Sequence, residues 1–124
     1  MSKLVTPHFA WHEFLDSDLA NANDISNIPG DYEKSNIVNV ARILERVRED
    51  FGHPLVINSG YRCKELNSIV PGASADSYHL EGRAVDIVVS GYKDYDKVLL
   101  YDILCEYHPV EIYQKGDSYV HVAF

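Results

Sequence analysis

The hydrophobic and polar positions of the chain follow two different periods, which predict helices in some segments and strands in others. From Asp31 to Phe51, apolar residues recur at steps of three and four, as on the buried stripe of an amphipathic helix. Gly52 and Pro54 then interrupt the pattern, because glycine commonly terminates a helix and proline cannot continue one. The sequence therefore predicts one long helix over residues 31–51.

Shorter apolar patterns predict four more helical segments. They cover residues 11–15, 18–22, 63–70 and 93–107. We expect the apolar side chains of these segments and their flanks to face the core, among them Phe9, Trp11, Phe14, Leu19, Val98, Leu99, Ile103 and Leu104.

Four other segments are predicted to be strands from their β-branched content and the alternation of their side chains. They cover residues 55–57, 83–89, 110–114 and 119–124, and a polar turn joins the last two into a hairpin. Asp86 and His121 each alternate with apolar neighbours, so both would project from the side of the sheet away from the core. This order of elements predicts an α+β fold, a single domain over residues 1–124 with a mostly antiparallel sheet and helices packed against one face.

Polar residues concentrate in the segment 58–87, NSGYRCKELNSIVPGASADSYHLEGRAVDI. If the strands of Asp86 and His121 are neighbours, the loop residue His79 joins them on one face of the sheet. Two imidazoles and a carboxylate suit zinc with a fourth position left for water, whereas calcium and magnesium prefer oxygen ligands. The alternative is that Asp86 and His121 form an exposed ion pair and that His79 is an ordinary loop residue.

Composition restricts the possible partners. The formal net charge of −8 disfavours binding to nucleic acid and to anionic membranes, both of which require basic surfaces. No stretch has the length of a signal peptide's apolar region or of a membrane span, so we expect synthesis in the cytoplasm without a signal peptide. We also expect the protein to be a monomer. Two cysteines, Cys63 and Cys105, imply no disulfide framework and are expected to stay reduced.

Several motifs together resemble the zinc D-Ala-D-Ala metallopeptidases, which include VanX-like dipeptidases, D,D-carboxypeptidases and small phage endolysins. The motifs are Ser59-Gly60-Tyr61-Arg62, then Ser77-x-His79-x-x-Gly82-x-Ala84-x-Asp86, and a late strand with aromatic-Val-His121. The N-terminal HFxWxEFxxS and the run RExFGxPLxINSGYRCxELN are most similar to the small bacterial and phage branch. This resemblance covers nearly the whole chain and implies a hedgehog/D,D-peptidase-like fold in which His79, Asp86 and His121 bind one Zn²⁺ ion.

The resemblance also implies roles for residues beside the metal. Arg62 would hold the substrate and stabilise developing negative charge, and Ser77 would hydrogen-bond the substrate backbone. The family's catalytic carboxylate lies three residues before the last histidine ligand, where this chain has Ser118. We predict that Asp117 replaces it. Glu111 is the other possibility, but an even-length hairpin loop would point it away from His121 and would place Gln114 on that face instead.

The implied function is hydrolysis of peptidoglycan stem peptides or cross-links, either as a D-Ala-D-Ala carboxypeptidase or as an endolysin-type endopeptidase. A phage-type lysis enzyme would reach the cell wall only after release from the cytoplasm. One alternative is a zinc-binding structural or cell-wall-binding module with weak catalysis, for example in a phage particle, which the missing acid at position 118 favours. A metal-free globular domain is the third reading and requires all these motifs to be accidental.

Overall fold

A computed structural model describes residues 3–124, along which short elements surround one long helix. The elements are β1 (Leu4–Thr6), β2 (Phe9–Ala10), α1 (Trp11–Leu15), α2 (Asp18–Ala22), α3 (Asp31–Phe51), β3 (Ile57–Ser59), α4 (Lys64–Ile69), a 3₁₀ helix (Tyr78–Glu81), β4 (Ala84–Val88), α5 (Asp94–Cys105), β5 (Glu111–Lys115) and β6 (Tyr119–Ala123). They form a single small α+β domain, as the sequence predicts.

The sheet has four antiparallel strands in the order β3-β4-β6-β5, and β1 pairs with β2 separately. The two central strands, β4 and β6, pair so that Asp86 lies directly opposite His121. On the other side of β6, Tyr113 of β5 lies opposite His121. The predicted adjacency of the Asp86 and His121 strands is therefore confirmed.

The apolar stripe of α3 is completely buried, as its period predicts. Its buried residues are Ile37, Val40, Ala41, Leu44, Val47 and Phe51. They pack with Val85, Ile87, Val120 and Val122 of the sheet and with Leu100 and Leu104 of α5 in one hydrophobic core. Burial of each large apolar side chain contributes roughly 1.5–3 kcal/mol, so this core is the main stabilising feature of the fold.

Several predictions about individual side chains were wrong. Leu19 is 37% exposed because α2 turns Ala20 inward instead. Val98 is 60% exposed because α5 turns Leu100, Ile103 and Leu104 inward. The strand predicted at 55–57 is shifted, since β3 spans Ile57–Ser59 and Val56 is 58% exposed.

Two further sequence expectations concern cysteines and membranes. The two cysteines, Cys63 and Cys105, are not bonded to each other, and Cys105 is exposed. Between residues 3 and 124, no helix combines the length and apolar character needed to span a bilayer.

Candidate metal centre

His79, Asp86 and His121 meet on the sheet face opposite α3 and α5. One potential ligand atom of each residue lies within 4.8 Å of those of the other two. Asp86 Oδ1 is 2.9 Å from His121 Nδ1 and 3.3 Å from His79 Nε2. All three residues are at most 5% exposed, so the alternative of an exposed ion pair on a solvent-facing sheet is wrong.

Local backbone features bring the three residues together. Asp86 and His121 are cross-strand partners, so both side chains leave the sheet on the same face. His79 lies on the 3₁₀ helix, which Gly82 ends in a left-handed conformation with φ of +71°. A Cβ atom at Gly82 would lie 2.6 Å from the carbonyl oxygen of Glu33, so only glycine allows this close approach to α3.

The buried ring of His79 fits a metal ligand. Its Nδ1 is 2.6 Å from the carbonyl oxygen of Gly60, which can only accept, so Nδ1 carries the proton and donates. In the neutral ring Nε2 is then an unprotonated lone pair, and among residues 3–124 this buried atom has no hydrogen-bond partner. A cation held by this lone pair and by the Asp86 carboxylate, which is 3.3 Å away, would stabilise both buried groups.

His121 lies between two carboxylates. Its Nδ1 faces Asp86, and its Nε2 is 2.5 Å from Glu111 Oε1. Burial alone would lower the pKa of His121, but its hydrogen bonds to Asp86 and Glu111 outweigh this effect and raise it. Burial would likewise raise the pKa of Asp86, but when His121 and His79 are both protonated, their hydrogen bonds and positive charge outweigh this effect and lower that pKa to about 2. The ring of Tyr113 stacks on His121 with 4.6 Å between centroids, which further restricts its orientation.

Glu111 faces the cluster, so the expectation that it points away was wrong. The pairing of Lys115 with Tyr119 leaves a turn of three residues, 116–118, instead of the expected even number. Residues directly opposite on antiparallel strands share a face, so Glu111 and Tyr113 project on the same side as His121. If the turn had been assumed to have an odd number of residues, the sequence would have predicted that Glu111 lies on the same face as His121.

Asp117 lies in that turn and contacts a residue of α5. Its carboxylate is 2.9 Å from Lys97 Nζ, and its side chain is 89% exposed. The hydrogen bond and charge of Lys97 lower the pKa of Asp117. Asp117 does not line the cavity at the cluster, whereas Glu111 does.

Arg62 is held beside the cluster by three side chains. Its Nη2 is 3.7 Å from Asp86 Oδ2, its Nε donates to Ser59 Oγ at 3.3 Å, and its Nη1 donates to Asn67 Oδ1 at 3.2 Å. The backbone N–H of Arg62 also donates to the carbonyl oxygen of His79. Sequence reasoning found Arg62 but missed Asn67, whose buried amide carries no signal in a single sequence.

Ser77 begins the 3₁₀ helix that carries His79. Its Oγ accepts a hydrogen bond from the backbone N–H of His79 at 3.1 Å, as a helix N-cap does. Ser77 also lines a cavity of about 320 Å³ at the cluster, together with Arg62, Glu111, Tyr113 and the three cluster residues. The structure therefore gathers Arg62 and Ser77 around the cluster, as predicted, and leaves Asp117 outside it.

Two nitrogen atoms and one carboxylate oxygen form a donor set of the kind that zinc prefers. The family model for Peptidase M15 matches residues 7–123, which is nearly the whole chain. A search of curated proteins found no match for this chain. With this match and this cluster together, the chain belongs to the peptidase M15 family of zinc-dependent D-Ala-D-Ala peptidases.

Proposed function

We propose that this protein is a zinc-dependent peptidase that hydrolyses the peptides of peptidoglycan, with one zinc ion bound by His79, Asp86 and His121. The observation that carries the proposal is the buried lone pair of His79 Nε2, which faces Asp86 and has no partner between residues 3 and 124. Membership in the M15 family supports a peptide substrate.

Zinc bound here would polarise the scissile carbonyl and lower the pKa of a water molecule to about 7. Arg62 supplies a fixed positive charge beside Asp86, where it binds the substrate carbonyl oxygen and stabilises the negative charge that develops on it. The hydroxyl of Ser77 accepts from His79 N–H through its oxygen, so its own proton remains available to donate to a substrate carbonyl.

We further propose that Glu111 transfers the proton in this reaction. A general base must lie within hydrogen-bonding reach of the reacting atoms, and Glu111 lines the cavity at the cluster. Its side chain is 45% exposed, so water reaches it. Asp117 is the weaker candidate because it does not line the cavity at the cluster and its carboxylate contacts Lys97 instead.

The second candidate function is a zinc-binding module without efficient catalysis. The feature that favours it is Ser118, which occupies the position of the family's catalytic acid. The position of Glu111 beside His121 favours the enzyme instead, because it provides a carboxylate from the neighbouring strand.

Mass spectrometry of defined peptidoglycan fragments tests the two functions. The fragments are incubated with zinc-loaded protein, with chelated protein, and with Asp86→Ala as a control for contaminating peptidases. The enzyme predicts cleavage that the chelator abolishes and added zinc restores, and that Asp86→Ala lacks. Intact fragments beside one tightly bound zinc per chain would support the module.

A further inference from the structure

Two cavities meet at the candidate metal centre. The cavity of about 320 Å³ that holds the cluster, here the metal-side cavity, is bounded by segment 70–77 and by β5. A larger cavity of about 620 Å³, here the helix-side cavity, lies between α1, α2 and β3. Both have the size of typical ligand sites.

The two cavities adjoin each other at the centre. They share Arg62, Val70, Asp86 and Tyr119 as lining residues. Arg62 and Asp86 are 3.7 Å apart, so the border between the cavities is the place where a scissile carbonyl would bind. A cavity therefore lies on either side of Arg62 and Asp86, and the two cavities together are called the groove here.

The charges of the groove disfavour a free carboxylate on either side. In the described chain, Arg62 is the one arginine or lysine that lines either cavity, and it already contacts Asp86. The acidic side chains that line the groove beyond the centre are Glu13, Asp16 and Asp18 on the helix side, and Asp76 and Glu111 on the metal side. His12 on the helix side is paired with Asp16 at 3.5 Å. A carboxylate one residue from the cleaved bond would thus meet repulsion without a cation to bind it.

We propose that the substrate continues past the cleaved bond in both directions, so that this protein is an endopeptidase and not a carboxypeptidase. This inference rests on the proposed function. In the step it implies, the oxygen of water bonds to the carbonyl carbon of an internal amide and the C–N bond breaks. One proton of that water passes to the leaving nitrogen, and the other is lost from the new carboxyl group. The products are a carboxylate, an amine and one proton, which the amine takes up near neutral pH.

Matched peptides distinguish the two specificities. Each stem peptide is prepared with a C-terminal carboxylate or carboxamide, and the products of zinc-loaded protein are identified by mass spectrometry. We expect cleavage of an internal bond, with kcat/KM values for the carboxylate and carboxamide forms that differ by less than about threefold. Truncation of the peptide on either side of the cleaved bond should lower kcat/KM by at least about tenfold. Release of only the C-terminal residue, abolished by the carboxamide, would overturn the inference.

A charge reversal tests the helix-side cavity. Asp16→Lys should lower kcat/KM for the extended peptides by about tenfold, because it alters the wall of that cavity. Glu106→Lys makes the same change of charge at the exposed end of α5, outside both cavities, and should have no effect. Equal rates for both variants would contradict binding in the helix-side cavity.

A binding experiment separates this inference from the proposed function. The extended carboxamide peptide is titrated into zinc-free protein, and backbone amides are followed by NMR. We expect shifts at Asp18 on the helix side and at Ala73 and Ser74 on the metal side. Shifts on one side alone would overturn the groove. Shifts on both sides, with no hydrolysis of the same peptide by zinc-loaded protein, would retain the groove and contradict the peptidase.

Discussion

The two ring nitrogens of His121 face different carboxylates. One nitrogen faces the proposed metal site, and the other faces the residue that we propose for proton transfer. The Nδ1 side faces Asp86 and His79, where a metal ion would lie, and the Nε2 side faces Glu111. A carboxylate on the far nitrogen of a metal-binding histidine fixes its tautomer and increases its basicity. Glu111 therefore has a positioning effect in addition to the proton transfer that we propose for it.

Two substitutions of Glu111 separate these effects. Glu111→Gln retains an oxygen that can accept from Nε2–H but cannot take up a proton, so zinc affinity should stay within about fivefold while kcat falls by about 10²–10⁴. Glu111→Ala should in addition weaken zinc binding by about 10–100-fold. Zinc titration calorimetry and initial rates on a cleaved peptidoglycan fragment measure the two quantities.

Asp117→Asn is the matched control. Asp117 bonds Lys97 on the surface, so the variant should keep the zinc affinity and kcat of the unmodified protein. A loss of kcat in Asp117→Asn as large as that in Glu111→Gln would move the proton transfer to Asp117.

At the scale of elements, a close approach between α1 and the end of β3 supports the centre. Tyr61 N–H donates to the carbonyl oxygen of Phe14 at 2.8 Å, and Gly60 is buried against the same backbone. The carbonyl of Gly60 in turn accepts from His79 Nδ1. The packing of α1 thus controls the orientation of a candidate metal ligand.

Replacement of Gly60 by alanine should disturb both the packing and the centre. The added Cβ would lie 2.6 Å from Phe14 O and 2.8 Å from Phe14 Cα, and backbone atoms cannot rotate away. We expect a loss of about 1–3 kcal/mol in the free energy of unfolding, and weaker zinc binding, measured by urea denaturation and calorimetry.

Gly30→Ala is the control for this change. Its Cβ would meet only the flexible carboxylate of Glu33, so stability and zinc affinity should change little. Unchanged zinc affinity in folded Gly60→Ala would show that the Gly60 carbonyl does not position His79.

The segment from Thr6 to His8 is tied to α3 by Glu45. The Glu45 carboxylate accepts from Thr6 Oγ1 at 3.0 Å and from His8 N–H at 2.6 Å, and lies 2.8 Å from His8 Nδ1. Burial raises the pKa of Glu45, but the hydrogen bonds from His8 and Thr6 outweigh it and hold the pKa below 4.5. A pKa that is lower in the folded state gives stability that is present above 4.5 and is lost as the pH falls through the folded value.

Glu45→Gln should therefore reduce the dependence of the free energy of unfolding on pH in the acid range. We expect a loss of about 1 kcal/mol near neutral pH and a smaller decrease in the free energy of unfolding as the pH falls below 4.5. Chemical denaturation at a series of pH values measures the free energy of unfolding, and Glu49→Gln on the exposed side of α3 is the control. Parallel profiles for the unmodified protein and Glu45→Gln would contradict this role.

Across the whole molecule, residue periodicity predicted most of the helices and strands. The features that it did not predict depend on the length of one turn and on contacts between distant residues. The long helix was predicted with its observed ends because its stripe, Gly52 and Pro54 all agree. The strands of Asp86 and His121 were predicted because their alternation is strong. The side on which Glu111 lies was not, because it depends on whether the turn has an odd or even number of residues. Contacts between distant residues, such as Asp117 with Lys97, leave no pattern in one sequence.

Binding of a metal ion to the folded state should stabilise the whole domain. A ligand at about 100 times its dissociation constant adds about 2.7 kcal/mol, which raises Tm by roughly 10 °C for a domain of this size. Differential scanning fluorimetry with added zinc or chelator measures this shift. An equal shift in His121→Ala would place the stabilising ion elsewhere.

Zinc content per chain tests the proposed centre most directly. The protein is dialysed against zinc, desalted and measured by inductively coupled plasma mass spectrometry beside His79→Ala, Asp86→Ala and His121→Ala, with Asp117→Asn as the control. We predict one zinc per chain in the unmodified protein and in Asp117→Asn, and strong losses in the three ligand variants. Equal zinc in folded ligand variants and in the unmodified protein would contradict the centre.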